Sequence, residues 1–218
     1  MKTIMCFLIA CCVGSAHAQD TRTVFTWTPE RPAVGDILTL TYHSDAPSAT
    51  LKDPASVTAQ CLVYRQQDTP LLDEVSLAKD GAAWTGSYKL REPAANLILF
   101  RFKGGDKADD NGGNVWSAMI FTGDGKAEKG AHLSMAKVLL QGGFDNDFVH
   151  AKDPEGAKTE ALREYDLYPD NVEAKFTYWN LKLRSEDKDA ARASIRQELD
   201  EVYAKHKSDD EWDVEFVY

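Results

Sequence analysis

"LILFRFKGGDKADDNGGNVWSAMIF", residues 97–121, decides how the chain folds. Ile98, Phe100 and Phe102 stand at every second position, and so do Trp116, Ala118 and Ile120 beyond the polar stretch between them. A period of two marks strands with one face in a core. The intervening residues 103–116 hold three aspartates and four glycines. Asn111-Gly112 tolerates the positive φ that a hairpin requires, so it is expected to turn the chain between the two strands. The aspartates keep such a loop hydrated and its edges from pairing with other chains. A calcium loop is the competing reading. Placing Gly112 at that loop's obligatory glycine puts Lys107 at the first ligand position and Ala118 at the last, and neither supplies a carboxylate. Asp106, Asp109 and Asp110 remain as candidate ligands for a loosely held cation.

The same period extends upstream through 24–27, 36–42, 56–64, 71–77, 83–90 and 96–103, each run closed by Gly, Pro or Asp. About seven short strands over residues 22–121 imply an antiparallel β-sandwich of immunoglobulin-like type, although the Cys…Trp…Cys spacing of antibody domains is absent. After Gly130 apolar residues recur every three or four positions. Helices are expected over 132–141, stopped by Gly142-Gly143, then over 155–167, 171–184 and 188–207. The fold class is therefore α+β in two parts: the sandwich, then a helical region at 130–207, stacked on the sandwich or hinged from it. Residues 122–129 form the junction and 208–218 an acidic, aromatic tail.

Residues 1–18 read as a signal peptide: Lys2, the apolar run Ile4–Val13, and Ala16-His17-Ala18 before the cleavage point. The expected location is periplasmic or extracellular, with a lipoprotein anchored at Cys11 as the minor alternative. No segment is apolar for the ~20 residues that a spanning helix needs. The chain carries 25 basic and 35 acidic residues. Loss of Lys2 with the signal leaves a net charge of −11, which disfavours nucleic acid and anionic membranes as partners. Three of the four cysteines leave with the signal, so Cys61 remains with no disulfide partner. Its phase with Val57, Ala59 and Val63 makes it a small buried hydrophobe.

"LILFRFKGGDKADDNGGNVWSAMIF", "GDGKAEKGAHLSMA" and "EALREYDLYPDNVEAKFTYWNLKL" together resemble the region that precedes the catalytic domain in some exported thioredoxin-like proteins. That resemblance implies an immunoglobulin-like sandwich followed by helical hairpins similar to tetratricopeptide repeats, with a CxxC-bearing thioredoxin fold last. No CxxC occurs here, so none of that family's catalytic cysteines has a counterpart. Tyr165 and Pro169 fit the end of one helical repeat, and Ala174, Tyr178 and Leu181 the inner face of the next. An ordinary helical bundle fits the same pattern. The run "FRFKGG…DDNGGNVW" also resembles part of certain starch-binding sandwich modules, in which aromatic side chains bind sugar. Trp27, Trp84, Trp116 and Tyr88 are available, but Trp84 and Trp116 fall at inward phase.

The mature histidines His43, His132, His150 and His206 lie apart, with no HExxH helix and no serine elbow. The glycine pairs lack the lysine of a phosphate loop. No catalytic residue and no cofactor is assigned. The expectation is an exported, non-catalytic protein that works through protein contacts, with Tyr178, Trp212 and Phe216 as candidate partner-binding residues. A carbohydrate-binding module is the alternative, and a hydrolase using loop carboxylates ranks last.

Overall fold

The computed structural model describes residues 23–65, 68–144, 147–185 and 187–206. In chain order its elements are β1 (Phe25–Thr28), β2 (Ile37–His43), β3 (Val57–Arg65), β4 (Asp68–Asp80), β5 (Ala83–Lys89), β6 (Ala95–Gly104), β7 (Lys107–Asp109) and β8 (Trp116–Met119). They are followed by α1 (Ala131–Gln141), β9 (Gly143–Phe144), β10 (Phe148–Val149), α2 (Pro154–Leu167), α3 (Val172–Ser185) and α4 (Lys188–His206). The signal-peptide reading and the tail with Trp212 and Phe216 lie outside the described residues.

Strands β1-β2-β5-β4-β3-β6 follow one another in a single antiparallel sheet, with β7 and β8 both on the far side of β6. The sheet curls on itself. β1 and β6 stand far apart along the ladder, yet the Phe25 and Phe100 rings lie 5.1 Å apart and Tyr42 sits 4.7 Å from Phe102. The curl comes from the long strand β4, which pairs with β3 from Asp68 to Leu77 and with β5 only from Ala78 to Asp80. The two halves close on one apolar core. Leu38, Leu40, Tyr42, Trp84 and Tyr88 meet Ala59, Cys61, Ile98, Phe100 and Phe102 there. Cys61 is fully buried in it, as its phase requires.

β6 is buried on both faces. Leu97 and Leu99 point away from that core and join Leu62, Tyr64, Val115, Val138 of α1 and Phe148 of β10 in a second cluster. Such double burial produces a continuous apolar run rather than a strict alternation, and "LILF" has that form. A third cluster joins Ala136 and Leu139 of α1 to Ala157 and Ala161 of α2 and Leu181 of α3. Alanines at these contacts let the helix axes approach closely.

The helices keep their expected limits to within a residue or two. α1 stops at Gly142, whose N–H bonds Val138 O at φ +85°. α2 starts at Pro154 behind Asp153, whose carboxylate accepts from Gly156 N at 2.9 Å. α4 runs back along α3: Trp179 Nε1 donates to Glu198 at 2.8 Å and Lys182 Nζ to Ser194 Oγ at 2.8 Å.

Two expectations change in detail. The tight turn after β6 is Gly105-Asp106, with Gly105 at φ +60°, and it feeds the short strand β7. Asn111-Gly112 does adopt positive φ, at 59° and 67°, but inside a loop that interrupts the returning strand. Residues 110–115 lie between Asp109, opposite Phe102, and Trp116, opposite Phe100, where β6 has only Arg101. Five residues are thus looped out. The junction at 122–129 is a hairpin held to the sheet: Phe121 bridges Ala127, and Glu128 N bonds Ile120 O at 2.8 Å.

Candidate functional site

Three aspartates lie between β6 and β8, and they do different things. Asp106 is exposed in the hairpin turn. Asp109 is 1% exposed because its register with Phe102 points it inward. Its Oδ2 accepts from Tyr42 Oη and from Thr50 N, both at 2.7 Å, and its Oδ1 accepts from Asn111 N at 3.0 Å. Tyr42 Oη in turn accepts from Leu51 N at 3.1 Å. Burial, reinforced by the Asp109 hydrogen bond, pushes the Tyr42 phenol's ionisation well above its ordinary range. Asp110 accepts from Gly113 N at 3.0 Å, within the loop. Among the described residues no three His, Cys, Asp or Glu side chains are grouped to hold a metal ion. The loop serves as a joint. Through Asp109 it fastens the 44–54 loop and β2, and through Asn114 Oδ1 it accepts from Ala151 N at 3.1 Å on the helical side.

A second joint lies at the start of α1, which has no side-chain cap of its own. Glu164 of α2, fully buried, takes that place. Its carboxylate accepts from Gly130 N at 2.6 Å, His132 N at 3.1 Å and Asn171 Nδ2 at 2.9 Å. A helix N-terminus stabilises a carboxylate through its unpaired N–H groups and its dipole. Next to it, His132 Nδ1 meets Glu160 Oε2 at 2.6 Å, and Glu160 Oε1 takes Arg163 at 2.6 Å. Burial favours the neutral Glu160 acid, but the His132 hydrogen bond and charge, with Arg163, outweigh it and hold the carboxyl below its usual range. A His–Glu pair is half of an acid–base device. Among the described residues no hydroxyl or thiol is bonded to the His132 ring, and the His132–Glu160 contact ties α1 to α2.

Two depressions among the described residues offer room for a ligand. The first, of about 230 Å³, lies where β3 and β6 meet the starts of α1 and α3. Asn96 belongs to its wall. That residue is 1% exposed, and among the described residues neither atom of its side-chain amide has a hydrogen-bond partner. Ser134 lies beside it, and the rim carries two ion pairs, Lys129–Asp170 at 2.6 Å and Lys137–Glu173 at 2.7 Å. The second, of about 440 Å³, opens where β4 departs from β5. Tyr88 Oη donates to Asp73 Oδ2 across it at 2.8 Å. Leu71, 40% exposed, lines it and Leu72, 52% exposed, is the next residue along β4.

Tyr178 packs half-buried against the third cluster, with Lys182 Nζ 5.6 Å from its ring. The starch-module aromatics are turned inward: Trp84 is buried in the sheet core, and Trp27 and Trp116 pack against it. Sequence reasoning passed over Asn96, Glu164 and the His132–Glu160 pair. The α1 partners of Glu164 and Glu160 lie 28 to 34 residues away, and Asn96 has no side-chain partner among the described residues, so no spacing announces them. No family model, curated protein or solved structure matches the chain. No helix among the described residues is long and apolar enough to cross a membrane.

Proposed function

We propose that this is an exported, non-catalytic interaction protein: an immunoglobulin-like sandwich carrying tetratricopeptide-like hairpins, equivalent to the accessory region of a thioredoxin-like cell-envelope protein. One observation carries the reading. Among the described residues no strand pairs with the outer side of β4 between Asp68 and Leu77, because β4 meets β5 only at Ala78–Asp80. Leu71, Asp73, Glu74 and Val75 of that edge line the 440 Å³ groove, and Leu71 and the adjacent Leu72 are exposed. Free strand edges recruit extended segments of other proteins through main-chain hydrogen bonds. Tyr178 and the tail residues Trp212 and Phe216 are the further contacts in this reading.

Capture from cell-envelope extract tests it. The wild-type chain retains a thioredoxin-fold protein, while Leu71→Asp/Leu72→Asp loses it at unchanged thermal midpoint, and Trp212→Ser/Phe216→Ser weakens it. Equal capture by all three proteins refutes the assigned surface. Reduction of insulin disulfides by the purified chain, abolished by Cys61→Ser, refutes the non-catalytic reading. Retardation in glucan gels moves the assignment to carbohydrate.

A further inference from the structure

We infer that the cleft between the sheet and the starts of α1 and α3 binds a short free peptide with both termini charged, one of its amides paired to the side-chain amide of Asn96. The inference rests on the reading of this chain as an interaction protein and names a second, separate contact within it.

Asn96 belongs to β6, and its own backbone oxygen is used, accepting from Ile120 N at 2.9 Å. Its side-chain Nδ2 and Oδ1 are both buried, and neither has a partner among the described residues. A buried polar group without a partner costs free energy, and at 1% exposure bulk water does not offset that cost. A leucine there would extend the second cluster next door and carry no such penalty. Two unpaired atoms, one donor and one acceptor on one planar group, specify their complement: an acceptor and a donor on another amide.

The surroundings choose among amide ligands. The rim presents both signs of charge, Lys129 and Lys137 on the α1 side and Asp170 and Glu173 on the α3 side. These ion pairs are half open to solvent and exchange partners at little cost, so an ammonium finds the acids and a carboxylate finds the lysines. Arg65 at the β3 end is already ion-paired with Glu92, at 3.8 Å. A simple anion would leave the acids repelled. Among the described residues no aromatic side chain lines the cleft, so an acetamido sugar lacks the ring face on which sugars stack. A zwitterionic peptide satisfies the amide and both kinds of charge together.

Trialanine is the probe, titrated to millimolar concentration into the full chain and followed by 15N–1H spectra. The expected result is movement of the Asn96 side-chain resonances with those of residues 129–137 and 170–173. Asn96→Leu weakens binding about tenfold or more, the worth of roughly one net hydrogen bond, while its thermal midpoint stays level or rises. Lys137→Ala, at an exposed rim position, weakens binding a few-fold and leaves the fold intact even if the leucine variant is poorly folded. Silence of these resonances overturns the inference. So does movement with N-acetylglucosamine but not with trialanine, or a high-resolution structure with an ordered water on both amide atoms and no titration. Capture through β4 is read separately. If it persists while the cleft stays silent, this inference fails and the proposed function stands. If the cleft titrates and capture is absent, the β4 surface fails.

Discussion

Replacing Asp109 by alanine tests the claim that the glycine-rich loop is a joint rather than a ligand site. Three donors lose their acceptor: Tyr42 Oη, Thr50 N and Asn111 N. A buried donor left unpaired costs about 1–3 kcal/mol. Tyr42 is fully buried and belongs near the top of that range. Thr50 and Asn111 are reached by water once the carboxylate is gone and belong near the bottom. The sum is about 3–5 kcal/mol, a large share of the ~5–15 kcal/mol that holds a domain of ordinary stability. Tyr42→Phe keeps the ring against Phe102 but removes the donor to Asp109 and the acceptor for Leu51 N, and is expected to cost about 1–2 kcal/mol. Because the two side chains touch, the double variant should fall short of additivity by about 0.5–3 kcal/mol. Urea unfolding followed by tryptophan fluorescence measures all three, with and without calcium. A cost below ~1 kcal/mol for Asp109→Ala contradicts the joint. A calcium-induced rise of the wild-type midpoint that Asp109→Ala abolishes returns the loop to metal binding.

Other outcomes follow from the same contacts. Glu160 is held below its unfolded pKa, so its contribution is present above about pH 4.3 and is lost as pH falls through the lower folded value. Glu160→Gln should therefore flatten the acid limb of the stability–pH curve, and an unchanged limb refutes the His132–Glu160 link. Burial, with the Asp73 charge adding to it, pushes the Cys61 thiol far up. In a chain lacking residues 1–18, Ellman's reagent should find no thiol in the native protein and one in urea, and rapid native labelling contradicts the packing. A Cβ on Gly143 would stand 1.8 Å from Phe148 O at a φ of +96°. Gly143→Ala should cost more than about 3 kcal/mol by parting β9 from β10, and a near-neutral thermal midpoint shows that the pairing is not formed in solution.

Much of this architecture is legible in the chain because its signals are local. The spacing of Leu133, Ala136 and Leu140 before Gly142-Gly143 delimits α1, and Pro169 closes α2, since both punctuators act on their own neighbours. β7 escapes because three residues, two of them exposed, carry no periodicity, and the two-residue pair β9 and β10 carries less. The aspartates show where reading stops. Asp109 and Asp110 are chemically identical and adjacent, and only the pairing of Asp109 with Phe102 turns the first inward and leaves the second in the loop. A one-residue slip in register would exchange their roles. Glu164 escapes for a related reason. A carboxylate capping a helix from another helix leaves no mark at the cap itself, where Gly130 merely looks like a turn.

The sheet and the helices form one structure because they share a strand. Ile98, Phe100 and Phe102 of β6 belong to the core inside the curled sheet, while Leu97 and Leu99 belong to the cluster closed by α1 and β10. Cutting the chain at the 122–129 hairpin would expose Leu97, Leu99, Leu62 and Tyr64 together, at about 1.5–3 kcal/mol for each large side chain. It would also leave Arg101 without Asp147, its ion-pair partner at 3.0 Å. An apolar face of that size on an isolated sheet is an aggregation surface. The helical half is equally dependent, since Val138 of α1 has its cover in β3 and β6. Asn96 lies near the start of the shared strand, where it lines one cleft with residues of β3, α1 and α3. A ligand held there contacts both halves at once, so its binding energy opposes their separation directly.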